Sequence, residues 1–407
     1  MPNRLAGAGG CFSWAERILD DKGDIIGYRL NGQKQFITNG GVAQLYTILA
    51  EAPDGPSFFI AEAGDQGLSP GRHEDKHGIR ASDTCPLTLE DLIVPKENLI
   101  GGTEGQGLKQ SNEVFGYTRL MVATFGLGGG MAALEKTIAY AKERVQFGST
   151  LAEKEGYTHK LLVPNAVRLE AARAYIEEVA RRLDTDEKDL QVEGSIAKYF
   201  ATEAGNAMAE DAIQGLGGYG YIREYEVEKI KRDIKITTIY EGTSEIQQRL
   251  ISMFRLQKTV RSKGDYYKDM AKELESLAGD TGARELAAMI RLLNDIIFEA
   301  RASKVTRSQY VTFLMADMMT WCEVGAALCK KAAGYDGKAR SHEFMKAASR
   351  LFVREAAEKV YLNGLKICVG CDTEVKGLVG RLSGLNLMDI MKNNLKDMDM
   401  VSSELVK

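Results

Sequence analysis

The sequence predicts an α+β fold: a partial antiparallel β-domain, then a four-helix bundle, then an additional C-terminal helical domain. Three observations lead there. Short runs rich in β-branched and aromatic residues, punctuated by Gly, Pro and Asn, occupy residues 24–95. After Gly107 the apolar spacing changes to the helical three-to-four period. A further set of helical patterns, separated by glycine breaks, fills residues 257–407. The divisions drawn are 1–103, 104–256 and 257–407.

The chain has 407 residues, enough for two or three domains and a large core. Its 44% hydrophobic and 27% charged residues suit an ordinary globular protein. A net charge of −4 without a long basic run speaks against nucleic-acid binding as the main task. No apolar stretch is read as membrane-spanning, and the N-terminus carries no signal-peptide pattern. The six cysteines (Cys11, Cys85, Cys322, Cys329, Cys368, Cys371) are sparse, which fits a reducing compartment. A cytoplasmic protein is expected, or a mitochondrial-matrix one in a eukaryote, with peripheral membrane association left open.

Residues 1–11 carry Gly7, Gly9 and Gly10 and little helix or strand pattern. The β pattern begins at Asp24. Residues 28–30 and 33–38 flank Asn31-Gly32, a pair that accepts the positive φ angles of a type I′ turn, so a tight hairpin is predicted. Asn39-Gly40 is a second turn. Residues 44–52, 57–63 and 85–94 are further strands, bounded by Pro53, Gly55, Pro56 and Pro95. A sheet opening so close to Met1 would expose an edge or a face. The expectation is that something upstream is missing, or comes from another chain.

Helical spacing runs through residues 108–144, 157–183, 190–216 and 244–256. Gly126, Gly128, Gly129 and Gly130 weaken the first of these, which suggests close packing against a neighbouring helix or a cofactor. Four such helices with short loops suggest a bundle. In the last region, patterns at 284–300, 308–333 and 343–365 are broken at Lys263-Gly264, at 279–282 and at 334–337.

The most informative stretch runs from Lys235 to Gln247. It reads as a short extended run, the carboxylate Glu241, Gly242, and a helix start. Ser244 with Gln247 fits a capping box, and Thr243 is an alternative cap. Glu241 then sits beside the free N–H groups of a helix N-terminus, and Gly242 removes a side chain where something flat could approach. Two readings are open. The local pattern favours a helix cap with an exposed acid; a catalytic base needs support from elsewhere in the chain.

Two motifs mislead. Gly215-Leu216-Gly217-Gly218-Tyr219-Gly220 matches G-x-G-x-x-G. A dinucleotide fingerprint needs a strand before it and a helix opening at the glycines. Here a helical pattern precedes it, so a Rossmann site is rejected in favour of a backbone surface for a ligand. Cys368-Val369-Gly370-Cys371 is a C-x-x-C lacking two further ligands. Cys322 and Cys329 stand ~10.5 Å apart along one helix, too far to share a zinc easily. Ordinary buried thiols are expected, and no metal site. His73, His77, His159 and His342 show no ligand spacing.

Five stretches, in order, carry a resemblance: Phe36-Ile37-Thr38-Asn39-Gly40, the run EDKHGIRAS from Glu74 to Ser82, the run YAKERVQFG from Tyr140 to Gly148, Gln214 to Tyr221, and Arg232-Asp233 on through Ile239 to Gln247. Together they resemble the acyl-CoA dehydrogenases, flavoenzymes that oxidise acyl-CoA thioesters. The resemblance implies FAD as cofactor. It places Phe36 and Thr38 against the flavin ring, and Arg144 and Gln146 on the pyrophosphate with Phe147 beside it. Gln214, Gly217 and Gly218 would meet the FAD of a neighbouring subunit, which implies a homodimer or homotetramer. Thr243 and Glu245 would contact FAD near the helix start. Phe115-Gly116-Tyr117-Thr118-Arg119 resembles the segment that holds the CoA part of the substrate, with Arg119 foremost. Gly242 would also meet substrate.

Glu241 stands where the family carries its catalytic base. A carboxylate can remove the weakly acidic proton α to a thioester if the pocket is dry and the enolate is stabilised. In the family the N–H of the base and a ribityl hydroxyl grip the thioester oxygen. A hydride passes from the β carbon to flavin N5, giving a trans-2-enoyl-CoA, and electron-transfer flavoprotein is the implied acceptor. The chain departs from the pattern in places. The family has an N-terminal helical domain before the sheet, and the expectation is that this chain lacks it. Ala8-Gly9-Gly10-Cys11 stands where the flavin-contacting loop belongs, without its usual serine and acid. Lys154-Glu155 falls where an amide that helps bind FAD is common. Residues 257–407 resemble, by position and helicity, the extra helical domain of very-long-chain members. Two alternatives follow: a non-catalytic subunit paired with a chain carrying the missing N-terminal domain, and an acyl-CoA oxidase.

Overall fold

The structure, a computed structural model, describes residues 12–185, 187, 189–371 and 376–407. The stretch Ala8-Gly9-Gly10-Cys11 lies outside the described residues. The chain divides into two compact units, Met1–Val114 and Phe115–Lys407.

The first unit is a six-stranded sheet: β1 (Phe12–Leu19), β2 (Ile25–Thr38), β3 (Leu45–Ala52), β4 (Gly55–Glu62), β5 (Leu68–Pro70) and β6 (Thr84–Pro95), in the order β4-β3-β1-β2-β6-β5. It is mixed rather than antiparallel, because β1 pairs with β3 in parallel at Trp14 and Glu51. The sequence pattern misses β1 because that strand buries small Ser13 and Ala15 and turns Trp14 and Leu19 outward, inverting the usual hydrophobic signal. Asn31-Gly32 is not a hairpin turn. It lies inside the 14-residue β2, paired with Trp14 and Ser13 of β1, and the register against β6 shifts between Leu30 and Gly32. Ladders on both sides override the local turn preference, and the glycine's freedom is used for a bulge, at φ +132. The real hairpin turn is at residues 20–24, where the Asp20 carboxylate accepts from the N–H groups of Lys22 and Asp24. Asn39-Gly40 does turn, and Tyr46 Oη donates to Gly40 O at 2.9 Å. Alternate residues, among them Tyr28, Leu30, Ile48, Phe59 and Leu92, form the core of this unit.

The second unit is helical: α1 (Gly107–Glu143, of which residues 115–143 belong to this unit), a two-strand ribbon β7 (Val145–Gln146) and β8 (Ser149–Thr150), α2 (Val163–Asp184), α3 (Gln191–Leu216), α4 (Val227–Lys235), α5 (Ser244–Arg261), α6 (Asp265–Glu275), α7 (Ala283–Ala302), α8 (Gln309–Ala333), α9 (His342–Val369) and α10 (Asn394–Leu405). One apolar core runs through it, joining Ile196, Met208 and Ile251 to Leu286, Met315 and Phe352. It crosses the 256/257 boundary drawn from the sequence without a break. Close helix packing accounts for three of the four α1 glycines. A Cβ on Gly126 would lie 2.7 Å from Thr202 Cα, one on Gly130 2.7 Å from Gly205 Cα, and one on Gly129 2.3 Å from Ile234 Cγ2; Gly128 faces open space. By length and composition α8 could cross a membrane, with a mean hydropathy of 1.3, which the sequence reading overlooked; 78% of its apolar window is buried among other helices, so it serves as a core helix.

One buried ion cluster ties three helices together. Arg255 of α5 reaches Glu193 of α3 at 2.9 Å and Glu323 of α8 at 2.8 Å, and the hydroxyls of Tyr266 and Tyr267 donate to Glu323. Cys322, Cys329 and Cys368 are buried free thiols. Burial pushes Cys329 up to about 12 and Cys368 up to about 11. Among the described residues no group of His, Cys, Asp and Glu is arranged to hold a metal.

Candidate active site

The residues before Glu241 are not extended. Helix α4 ends at Lys235 and passes into a 3-10 turn, Ile236–Thr238. Thr237 and Thr238, read from the sequence as part of a short extended run, donate their hydroxyls back to Ile234 O and Lys235 O at 2.6 and 3.0 Å, which favours the turn. Glu241 follows with φ 52 and Gly242 with φ 90. A left-handed glutamate is costly, and such backbone gathers at functional sites. The predicted capping box does not form. Thr243 is the N-cap of α5 without a side-chain cap bond, and Ser244 Oγ donates instead to Glu203 at 2.5 Å. Gln247 turns back, and its Nε2 donates to the carbonyls of Glu241 and Gly242 at 3.0 Å each. The loop that presents Glu241 is thus held by its own following helix.

Two buried cations share the electrostatic environment of Glu241. Arg119, on α1, is 6% exposed; its Nη1 donates to Ser195 Oγ at 3.3 Å, and its guanidinium lies 5.7 Å from the Phe115 ring centre. Burial pulls the Arg119 pKa down, and Glu241 partly opposes this. Lys198, on α3, is fully buried and its Nζ donates to Gly242 O at 2.8 Å. Burial pushes the lysine down to about 8, against the attraction of Glu241. Glu241 Oε2 is buried without a hydrogen-bond partner, and the Glu241 N–H meets no acceptor among the described residues. A buried carboxylate oxygen left unpaired in a folded protein calls for an explanation, and a ligand group is one.

The other substrate-segment residues lie within α1. Gly116 packs toward Gln191, Tyr117 is exposed, and Thr118 Oγ1 is buried without a partner. Glu245 is exposed, and a hydrogen bond from Thr243 holds its carboxyl below the usual range.

A second group gathers around a cavity of about 480 Å³, lined by Arg144, Gln146, Gln214, Gly217 and Gly218. Tyr157 also lines it and donates to Gly215 O at 3.1 Å. Gly217 adopts φ 60, ψ −133, backbone suited to glycine alone. Phe147 and Gly148, at φ 50 and 81, make the two-residue turn between β7 and β8, and the Phe147 ring is 91% exposed. Among the described residues no carboxylate pairs with Arg144. The sequence reading divides these residues between two flavins. The structure sets five of them around one cavity. Lys198 and Gln214 are sixteen positions apart on α3, so this cavity and the Glu241 loop are ~24 Å apart along that helix.

In the sheet unit, Phe36 has φ 56 and is 70% exposed, at the register shift between Lys34 and Ile37. Thr38 ends β2 beside a hollow of about 410 Å³ that Ile37, Leu45 and Tyr46 also line.

Comparison with known proteins settles the family. The acyl-CoA dehydrogenase middle-domain model matches residues 15–92, and the acyl-CoA dehydrogenase C-terminal-domain model matches residues 105–256. The chain belongs to the acyl-CoA dehydrogenase family. It is 43% identical over 236 residues to an acyl-CoA dehydrogenase of Bacillus subtilis, covering 56% of this chain and 61% of that one. It is 37% identical over 257 residues to the caffeyl-CoA reductase-Etf complex subunit CarC of Acetobacterium woodii, covering 62% and 66%. The crystal structure of a Bacillus anthracis acyl-CoA dehydrogenase complexed with FAD superposes with a TM-score of 0.83, covering 98% of this chain and 74% of that one; at 22% identity the likeness is one of fold. It includes the helices beyond residue 256, which neither family model matches. The chain spans between 54% and 66% of the length of the curated relatives it matches.

Sequence reasoning missed Lys198, Ser195 and Gln247 as parts of the site. The available signal was a lone lysine on the α3 face that carries Gly194, Ala201 and Gly205, spaced four and three residues apart.

Proposed function

We propose that this chain forms the flavin- and thioester-binding part of an acyl-CoA dehydrogenase, with Glu241 removing the C2 proton of the acyl-CoA. The observation that carries this reading is the buried, unpartnered Glu241 oxygen on a left-handed loop beside Arg119 and Lys198. A carboxylate with a free lone pair is equipped to accept a proton, and the two cations offset the negative charge that enters with the enolate. The free N–H of Glu241 is available to the thioester oxygen. Lys198 and Gln247 hold the following peptide, so the carboxylate need not reorganise during the reaction.

The residues present fit FAD. Arg144 offers an unpaired guanidinium for pyrophosphate, Gly217 and Gly218 offer backbone without side chains, and Phe36 offers an exposed ring for an aromatic system. FAD, when bound, supplies the hydride acceptor that completes a dehydrogenation to the trans-2-enoyl ester. A five-carbon ribityl chain is far shorter than the ~24 Å between the Arg144 cavity and the Glu241 loop. The cavity of one copy therefore serves the flavin opposite Glu241 of a second copy, which makes the working unit at least a dimer. The relative named as part of an Etf complex supports electron-transfer flavoprotein as acceptor.

The test is anaerobic addition of acyl-CoA to the FAD-reconstituted protein. The flavin band should bleach with release of an equal amount of trans-2-enoyl-CoA. A protein that takes up FAD and binds acyl-CoA without either change would refute the reading, and hydrogen peroxide formed in air at the same rate would favour an oxidase.

A further inference from the structure

Lys198 is buried to 0% exposure, and a buried ammonium is expensive unless its charge is used. No carboxylate lies within ion-pair distance of it among the described residues. Of its three donors, one makes a hydrogen bond, and that bond goes to Gly242 O at 2.8 Å, the carbonyl just after the proposed base. The same oxygen accepts from Gln247 Nε2 at 3.0 Å. Gln247 ties the loop to its own helix, α5, whereas Lys198 ties it to α3. Helix α3 also carries Ser195, the partner of Arg119. Ser244 Oγ also reaches α3, through Glu203 at 2.5 Å, but it fastens the first residue of α5; Lys198 is the direct tie from the Glu241-Gly242 peptide to the helix that holds the partner of Arg119.

We infer that Lys198 is the positioning residue of the base, anchoring the Glu241-Gly242 peptide to α3 from outside the loop. The inference rests on the reading of Glu241 as the base. The charged groups that act on its ammonium are Glu241, Arg119, Glu203 and Glu245. Burial and Arg119 favour the neutral amine, and the three carboxylates favour the ammonium, which leaves titration at about 8. Below that pH the anchor is charge-assisted and strong; above it the amine holds the carbonyl more weakly.

The experiment is amide hydrogen exchange on the full chain, read by mass spectrometry in the peptide spanning residues 239–247. Melting temperature and exchange in the α7 core serve as folding controls. Lys198→Met should raise local exchange ~10-fold or more while α7 stays protected, and Lys198→Arg should recover most of the protection. In the unsubstituted protein, protection of this peptide, corrected for intrinsic exchange, should fall between pH ~7 and ~9. Unchanged local exchange in Lys198→Met overturns the anchor, as does an equal rise everywhere. If that variant does not fold, a flat pH profile in the unsubstituted protein overturns it. Flavin bleaching by Glu241→Gln, run alongside, separates the two claims: bleaching that persists removes Glu241 as base and leaves the exchange result standing.

Discussion

Replacing Arg255 with methionine removes one cation on which three helices converge. Methionine fills similar space without charge, so the change probes the charge itself. Glu193 and Glu323 are 3% and 5% exposed, and Arg255 makes one hydrogen bond to the first and two to the second, all between 2.8 and 2.9 Å. Removing one partner of a buried ion pair costs ~3–5 kcal/mol. Two orphaned carboxylates argue for the upper end. Against that, Glu193 keeps Arg182 at 3.2 Å and Glu323 keeps two tyrosine hydroxyls. We expect a loss of ~3–4 kcal/mol, or roughly 150- to 900-fold in the unfolding equilibrium. In guanidinium chloride at neutral pH, with a denaturant slope of ~5 kcal/mol per M, the midpoint should fall by ~0.7 M.

The pH dependence gives a second check. Burial raises the Glu193 pKa, but Arg255 and Arg182 outweigh it and hold the carboxyl below its ordinary 4.5. A depressed carboxylate contributes stability above its unfolded pKa and loses it as pH falls through the folded value. The penalty of Arg255→Met should therefore be full above pH ~5 and shrink in acid. Adding Glu323→Leu to Arg255→Met should restore part of the loss, because one orphaned charge goes with its partner. A loss below ~1 kcal/mol, or a double variant weaker by the sum of both single changes, would refute the argument that this cluster fastens α5 to α3 and α8.

Two further substitutions probe the packing and the cofactor cavity. Gly205→Ala puts a Cβ 2.0 Å from Gly126 O, so α1 and α3 must separate; a loss of ~1–3 kcal/mol should appear in thermal unfolding, and an unchanged midpoint would contradict the contact. Arg144→Met should weaken FAD binding ~10-fold or more in calorimetry and reduce FAD-dependent self-association in sedimentation, because the cavity is proposed to serve the flavin of a second copy.

Much of the fold was legible because its signals are local. Helices α1, α3, α7, α8 and α9 have long amphipathic or apolar patterns, and their observed ends fall within a few residues of those drawn from the sequence, apart from the C-terminal end of α9. What failed depends on distant partners. Strand β1 carries its large apolar residues outward, so periodicity hides it. Asn31-Gly32 has the chemistry of a turn, but strands on both sides hold it straight. Ser244 and Gln247 have cap spacing, yet Ser244 finds Glu203 on α3 and Gln247 finds the carbonyls behind it. Glu241 could be singled out because its motif is contiguous. Lys198, 43 positions earlier, joins it only through the crossing of α3 with the loop, and no spacing rule spans that distance.

The most direct test of the central claim compares the unsubstituted protein with Glu241→Gln after FAD reconstitution. Glutamine keeps the size and the loop but cannot take a proton. Both proteins should hold FAD and bind acyl-CoA alike, and acyl-CoA should bleach the flavin only in the unsubstituted protein. Equal bleaching rates in the two would contradict the account, since the proton would then be leaving by some route other than residue 241.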